Sequence, residues 1–161
     1  MIEPQSELSF SSLEIREKNG LAAVRSLDKE ALASIGADAP FAGPVAVRVE
    51  FSVGGKDILL QGSAAGGFKG ECSRCLIPVT TPFESPLEEK VYGEEVATID
   101  VSGDVREAVM LAIPDKPLCR PDCKGLCPQC GQNLNERDCG HRPAPPNAFS
   151  KLKELKVRKK S

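Results

Sequence analysis

Seven cysteines and a single histidine, gathered into two short blocks, constrain this chain more than any other feature. The first block is Cys72-Ser-Arg-Cys75. The second runs Cys119-Arg-Pro-Asp-Cys123-Lys-Gly-Leu-Cys127-Pro-Gln-Cys130-Gly131 and continues to Cys139-Gly-His141. Residues 117–141 are dominated by Cys, Gly, Pro, Asn and charged groups, too few apolar side chains to fold around themselves. A bound ion is the expected organiser. Two thiolates separated by two residues can hold one ion while a tight turn passes over it, its amide N–H groups aimed at the sulfurs. Pro128 favours that turn. Gly131 permits the positive φ that follows the second ligand.

Disulfides are the competing use of so many thiols. An odd count leaves one cysteine over. The start, Met1 to Glu7, is polar and acidic, without the basic residues and apolar run of a secretory signal. No apolar stretch approaches the ~20 residues of a membrane span. The expected location is therefore cytoplasmic, where thiols stay reduced and metal binding is the better use for them.

The candidate metal ligands are Cys72, Cys75, Cys119, Cys123, Cys127, Cys130, Cys139 and His141. Tetrahedral structural zinc takes four, so eight donors mean two full sites, or one site with spare thiols. The preferred partition places Cys127, Cys130, Cys139 and His141 in one site, since they are local and close on Cys-x-His. Cys72, Cys75, Cys119 and Cys123 then form a second site that ties the middle of the chain to its C-terminal part. In an alternative split, Cys119 or Cys123 joins the Cys127/Cys130 knuckle. An iron–sulfur cluster could use the same thiols. A redox role would place a CxxC at the start of a helix after a parallel strand. Here the first unit follows an antiparallel strand, with Pro78 just beyond. Catalytic zinc keeps a position open for water, whereas thiolate-rich sites are closed. The expectation is a structural metal, no catalytic residue and no small-molecule substrate. Asn133-Leu-Asn135, between the knuckle and the last ligands, reads as a turn.

The rest of the chain predicts an α+β fold: an antiparallel sheet packed by one or two helices, with the Cys-rich zinc-knuckle segment near the C-terminus. Val45, Val47, Val49, Phe51 and Val53 alternate with Ala46, Arg48, Glu50 and Ser52, the period of a half-buried strand. Gly54-Gly55 suits a hairpin turn, and Asp57 to Gln61 reads as the return strand. Further strands are expected over Gly67 to Cys72 and Leu87 to Tyr92, and a first one around Leu8, Phe10 and Leu13. Ser26 is placed as the cap of a helix over Leu27 to Ile35. Ser102 or Asp104 is placed as the cap of a helix with Val105, Ala108, Val109, Ala112 and Ile113 on one face, ending before Pro114. Asn147 is placed as the cap of a final helix carrying Phe149, Leu152 and Leu155. These features divide the chain into an α+β domain over 1–116 that carries the first CxxC, a zinc-knuckle segment over 117–141, and a Pro-rich spacer with a basic helix over 142–161.

Charge separates the last part from the rest. Residues 151–161 hold Lys151, Lys153, Lys156, Arg158, Lys159 and Lys160 against Glu154, a local charge of +5 in a chain of net −2, which leaves −7 elsewhere. The basic tail is thus a candidate contact for a partner. Lys116, Arg120, Lys124, Arg137 and Arg142 near the cysteines are diluted by Asp115, Asp122, Glu136 and Asp138. No row of aromatics offers bases a stacking platform.

Glu71-Cys-Ser-Arg-Cys-Leu76, Leu118-Cys119, Cys123-Lys-Gly-Leu-Cys-Pro-Gln-Cys-Gly-Gln-Asn-Leu-Asn135 and Cys139 resemble the bacterial YceD-like family. Its members are described as large-subunit ribosomal RNA accumulation proteins, with plastid relatives. The resemblance runs from about residue 45 to the C-terminus and includes Ile99-Asp-Val101 and Asn147-Ala-Phe-Ser-Lys-Leu152. His141 stands where many relatives carry cysteine, and Ala148 where they tend to carry proline. The resemblance implies a non-enzymatic role in accumulation or assembly of the large ribosomal subunit, through ribosomal RNA, a large-subunit ribosomal protein, or both. The acidic body suits a basic ribosomal protein and the basic tail suits RNA phosphates. A zinc-ribbon accessory protein of transcription or RNA metabolism is the alternative, and a thiol redox protein the second.

Overall fold

The computed structural model describes residues 7–141. The spacer, the helix placed after Asn147 and the basic tail lie outside the described residues.

The alternation over Val45–Gly54 forms an interior strand of a five-stranded antiparallel sheet. In chain order the elements are β1 (Ser9–Ser11), α1 (Ser12–Glu17), β2 (Leu21–Leu27), α2 (Lys29–Ser34), β3 (Val45–Gly54), β4 (Asp57–Glu71), β5 (Pro78–Pro86), β6 (Lys90–Tyr92), β7 (Thr98–Asp100) and α3 (Ser102–Leu111). The large sheet runs β2-β3-β4-β5, with β6 also paired to β4, and β1 pairs with β7 in a separate two-stranded ribbon. Val45, Val47, Val49 and Phe51 of β3 face the core with Ile58, Leu60, Ala64 and Phe68 of β4. Ile15 of α1, Leu32 of α2 and Val105 and Val109 of α3 close that core from the helical side, as an α+β fold requires.

Several local expectations needed correction. The strands placed over 57–61 and 67–72 are one 15-residue strand. Gly62 does not break it. A Cβ at that position would lie 2.4 Å from the carbonyl oxygen of Arg48, so the residue lets β3 and β4 approach closely. Strand β5 was not anticipated, because Pro78, Pro82 and Pro86 punctuate it. All three share one parity, so their nitrogens point to the same side of the strand. As β5 ends the β2-β3-β4-β5 path, that side is the free edge, where no N–H is needed. The second helix is capped by Asp28, whose carboxylate accepts from the Ala31 N–H at 2.8 Å; Ser26 instead belongs to β2. Leu13 lies on the exposed face of α1 rather than in a strand. Neither Ser102 nor Asp104 caps α3. Asp100 takes the N–H and hydroxyl of Ser102, and Asp104 is buried against the ammonium of Lys90.

Strand β4 projects beyond its pairing with β3, which ends at Ala65, and carries β5 on its last nine residues. The β4–β5 connection is therefore held out at the end of a ribbon, and this connection contains Cys72 and Cys75.

Candidate metal centre

Both CxxC units fold into the same turn. In the first, the Leu76 N–H donates to the Cys72 carbonyl at 2.9 Å and the Cys72 N–H to the Ile77 carbonyl at 2.9 Å. In the second, Gly131 donates to Cys127 and Cys127 to Gln132, each at 2.8 Å. The residue after the second cysteine is left-handed in both, with φ of 61° at Leu76 and 72° at Gly131. Sequence inspection anticipated this at Gly131 and missed it at Leu76, where a leucine occupies a conformation that suits glycine.

The eight candidate donors come together in two groups of four: Cys72, Cys75, Cys119 and Cys123, and Cys127, Cys130, Cys139 and His141. Within each group the ligand atoms all lie within 4.8 Å of one another. In the first cluster Sγ of Cys72 is 3.8 Å from Sγ of Cys123, and Sγ of Cys75 is 3.6 Å from that of Cys119. A disulfide would bring sulfurs to about 2.05 Å, and all seven cysteines are free. Tetrahedral zinc with bonds of about 2.3 Å places its sulfurs about 3.8 Å apart. The first cluster fits that edge length. In the second, Sγ of Cys127 and Nδ1 of His141 are 3.8 Å apart, against about 3.6 Å for a mixed sulfur–nitrogen edge.

The donor chemistry also fits a cation. Burial pushes the Cys72 thiol up, yet backbone N–H groups of Cys119, Arg74 and Cys75 outweigh it and hold the group at about 6. The N–H groups of Gln129 and Cys130 bring Cys127 to about 6. Burial, followed by the neighbouring thiols of Cys123, Cys75 and Cys72, pushes Cys119 up to about 12. Four thiols so close cannot all ionise unless a positive ion joins them. Cys72, Cys75 and Cys123 are buried, with Leu118 and Leu126 packed against them. The second cluster is more open, with Cys130 and His141 exposed. Each group offers four protein donors, which leaves no coordination position for water.

The elements positioning these donors come from distant parts of the chain. Cys72 and Cys75 sit at the tip of the β4–β5 ribbon. Ser73 donates to the Pro117 carbonyl at 2.8 Å and Leu126 to the Arg74 carbonyl at 3.0 Å, docking the second block onto the first turn. Arg74 Nη1 donates to the Cys123 carbonyl at 2.8 Å. Arg74 was not singled out by sequence, since nothing in a lone arginine between two cysteines signals a carbonyl clamp.

Fold and site together define a class: a small α+β protein whose sheet carries, at one end, two four-donor Cys/His clusters able to hold metal ions. The profile of the family described as "Large ribosomal RNA subunit accumulation protein YceD" matches residues 60–156, so the chain belongs to the YceD family. An uncharacterised protein of Mycobacterium tuberculosis is 41% identical over 101 residues, covering 53% of this chain and 48% of the relative. The "Large ribosomal RNA subunit accumulation protein YCED homolog 1, chloroplastic" of Arabidopsis thaliana is 43% identical over 53 residues, covering 32% of this chain and 16% of that protein. A Zea mays protein of the same description is 41% identical over 56 residues, covering 34% of this chain and 19% of its own length. The chain thus spans about half the length of the mycobacterial relatives it matches. No solved structure matches it.

Proposed function

We propose that this chain is a non-enzymatic, zinc-stabilised factor that supports accumulation of the large-subunit ribosomal RNA in the cytoplasm. The observation that carries the proposal is the family match over residues 60–156, which begins inside β4, leaves β1 to β3 and the first two helices outside it, and includes both metal clusters. Closed four-donor sites support a structural ion rather than a hydrolytic one. Sulfur-rich donor sets with sulfur separations of 3.6 and 3.8 Å support zinc. Among the described residues no helix is long and apolar enough to cross a membrane.

Contact with the ribosomal particle is assigned to two surfaces of opposite charge. The acidic body suits a basic large-subunit ribosomal protein. The tail residues Lys151, Lys153, Lys156, Arg158, Lys159 and Lys160 suit RNA phosphate. Depletion of the protein in growing cells should lower large-subunit ribosomal RNA relative to small-subunit RNA, and an unchanged ratio would reject the role. Deletion of residues 151–161 should weaken RNA binding and flatten its salt dependence. Unchanged affinity and salt slope would remove RNA as the tail's target. Pull-down with basic ribosomal proteins at low and high salt tests the acidic surface.

A further inference from the structure

Asn135 belongs by sequence to the second cluster, between Cys130 and Cys139, but its side chain reaches the first. Its Nδ2 donates to Sγ of Cys123 at 3.3 Å and to Oδ1 of Asn133 at 2.8 Å. Its Oδ1 accepts from the Lys124 N–H at 2.8 Å and from Nη2 of Arg120 at 2.9 Å. These four contacts use the whole capacity of the amide and fix its orientation, with oxygen between two donors and nitrogen between two acceptors. Asn133 holds it from the other side, its Oδ1 also accepting the Asn135 N–H at 3.0 Å. The expected turn is present, and it also serves as a strut. The loop that carries Asn135 has no apolar core of its own and is closed at both ends by ligands of the second cluster: Cys127 and Cys130 before it, Cys139 and His141 after it.

We propose that Asn135 is a positioning residue that couples the two centres: a metal in the second cluster orders the loop that holds a thiolate of the first, so each loaded centre tightens the other. Hydrogen-bond donors to ligating groups commonly govern metal affinity, and their loss costs about 10–100-fold. Coupling is reciprocal, so the first centre must strengthen the second by the same factor. The inference rests on the proposed metal binding.

The test uses the full chain loaded with zinc, with release to a chelator followed in time. Cobalt substitution distinguishes a four-sulfur centre from a three-sulfur, one-nitrogen centre by their absorption. Wild-type protein should hold two ions and release both slowly. Asn135→Ala should still bind two but release the four-sulfur ion about 10–100-fold faster, with a shifted thiolate-to-cobalt band. Asn135→Asp separates positioning from turn formation. It keeps an oxygen for Lys124 and Arg120 and can form the same turn, but it sets a carboxylate against the Cys123 thiolate. It should therefore release the ion at least as fast as the alanine variant. Wild-type behaviour of Asn135→Asp would make the residue a turn former only and overturn the inference. Cys130→Ser, at an exposed ligand, should empty the second centre and speed release from the first in the wild type. It should add little in the Asn135→Ala background, the non-additivity that marks a shared pathway. Two bound ions with all variants releasing the four-sulfur ion within about twofold of wild type, well below the effect of losing such a contact, would refute the coupling and leave metal binding intact. A wild-type protein that binds no metal would instead reject the reading on which the inference rests.

Discussion

Stripping metal from the folded protein should unfold one part of it and spare another. Among the described residues the main core is a cluster of 20 buried side chains, from Leu8 to Val109, that includes no cysteine. The three buried cysteines of the first cluster form a separate small group with Leu118 and Leu126 at its margin. The amides that tie down residues 117–141 depend on the two turns: Leu126 to Arg74, Cys127 to Gln132, Gly131 to Cys127 and Leu134 to Gly125, all between 2.8 and 3.0 Å. Structural zinc supplies about 10–16 kcal/mol in peptides that fold around it. If only 4 kcal/mol of that protected these amides, its loss would speed their exchange about 700-fold, since each 1.4 kcal/mol is a factor of ten. Hydrogen exchange read by mass spectrometry, before and after chelation, should show this acceleration over 117–141. It should extend into the ribbon tip, where β4 and β5 run past the β3 pairing. Residues 45–65 should keep their protection. Collapse of protection across the whole sheet would mean that the core cannot stand without the ions. Unchanged protection over 117–141 in demonstrably metal-free protein would mean that the ions do not organise the segment.

Three further perturbations probe the scaffold. Gly62→Ala forces a methyl to within 2.4 Å of the Arg48 carbonyl oxygen and should cost about 3 kcal/mol of unfolding free energy in urea; a loss under about 1 kcal/mol would show that the strands can separate cheaply. Leu76→Gly should stabilise the loaded protein by about 0.5–1 kcal/mol, the left-handed cost of leucine less the entropy of glycine. Leu76 is 56% exposed, so little burial is lost, and a destabilised variant would reveal a packing role for it. Asp104→Asn removes the carboxylate that accepts from Lys90 and should cost about 1 kcal/mol at neutral pH, discounted because the lysine is 41% exposed. The hydrogen bond to Asp104, opposed by burial, raises Lys90 above its ordinary 10.5. Its stabilisation is therefore fully present below 10.5 and fades as pH rises through the raised value. The gap between wild type and variant should be flat from neutral pH to about pH 10 and narrow above it. A gap that widens there would reverse the sign of the argument.

The parts of this molecule legible in its sequence are those whose chemistry is local. Which eight side chains could donate to a metal follows from residue type and spacing: Cys72/Cys75 and Cys127/Cys130 share the bite of a two-residue turn, and Cys119/Cys123 and Cys139/His141 are close along the chain. The inward face of β3 follows from strict alternation over Val45–Phe51, and the apolar face of α3 from its 3.6-residue period. What tertiary structure alone decided depends on neighbours far along the chain. The role of Gly62 is invisible until the carbonyl of Arg48 is placed beside it. Strand β5, with Pro78, Pro82 and Pro86, is not legible until the strand they occupy is seen to have one free edge. Asp104 reads as a helix cap until Lys90, 14 residues away, takes its carboxylate into the interior. Asn135 reads as a turn residue beside the last ligands until the turn of Cys72 and Cys75 brings Cys123 within 3.3 Å of its amide. Spacing along the chain specifies donors and periodic faces, but a hydrogen-bond partner or a close backbone contact exists only once the fold has closed around it.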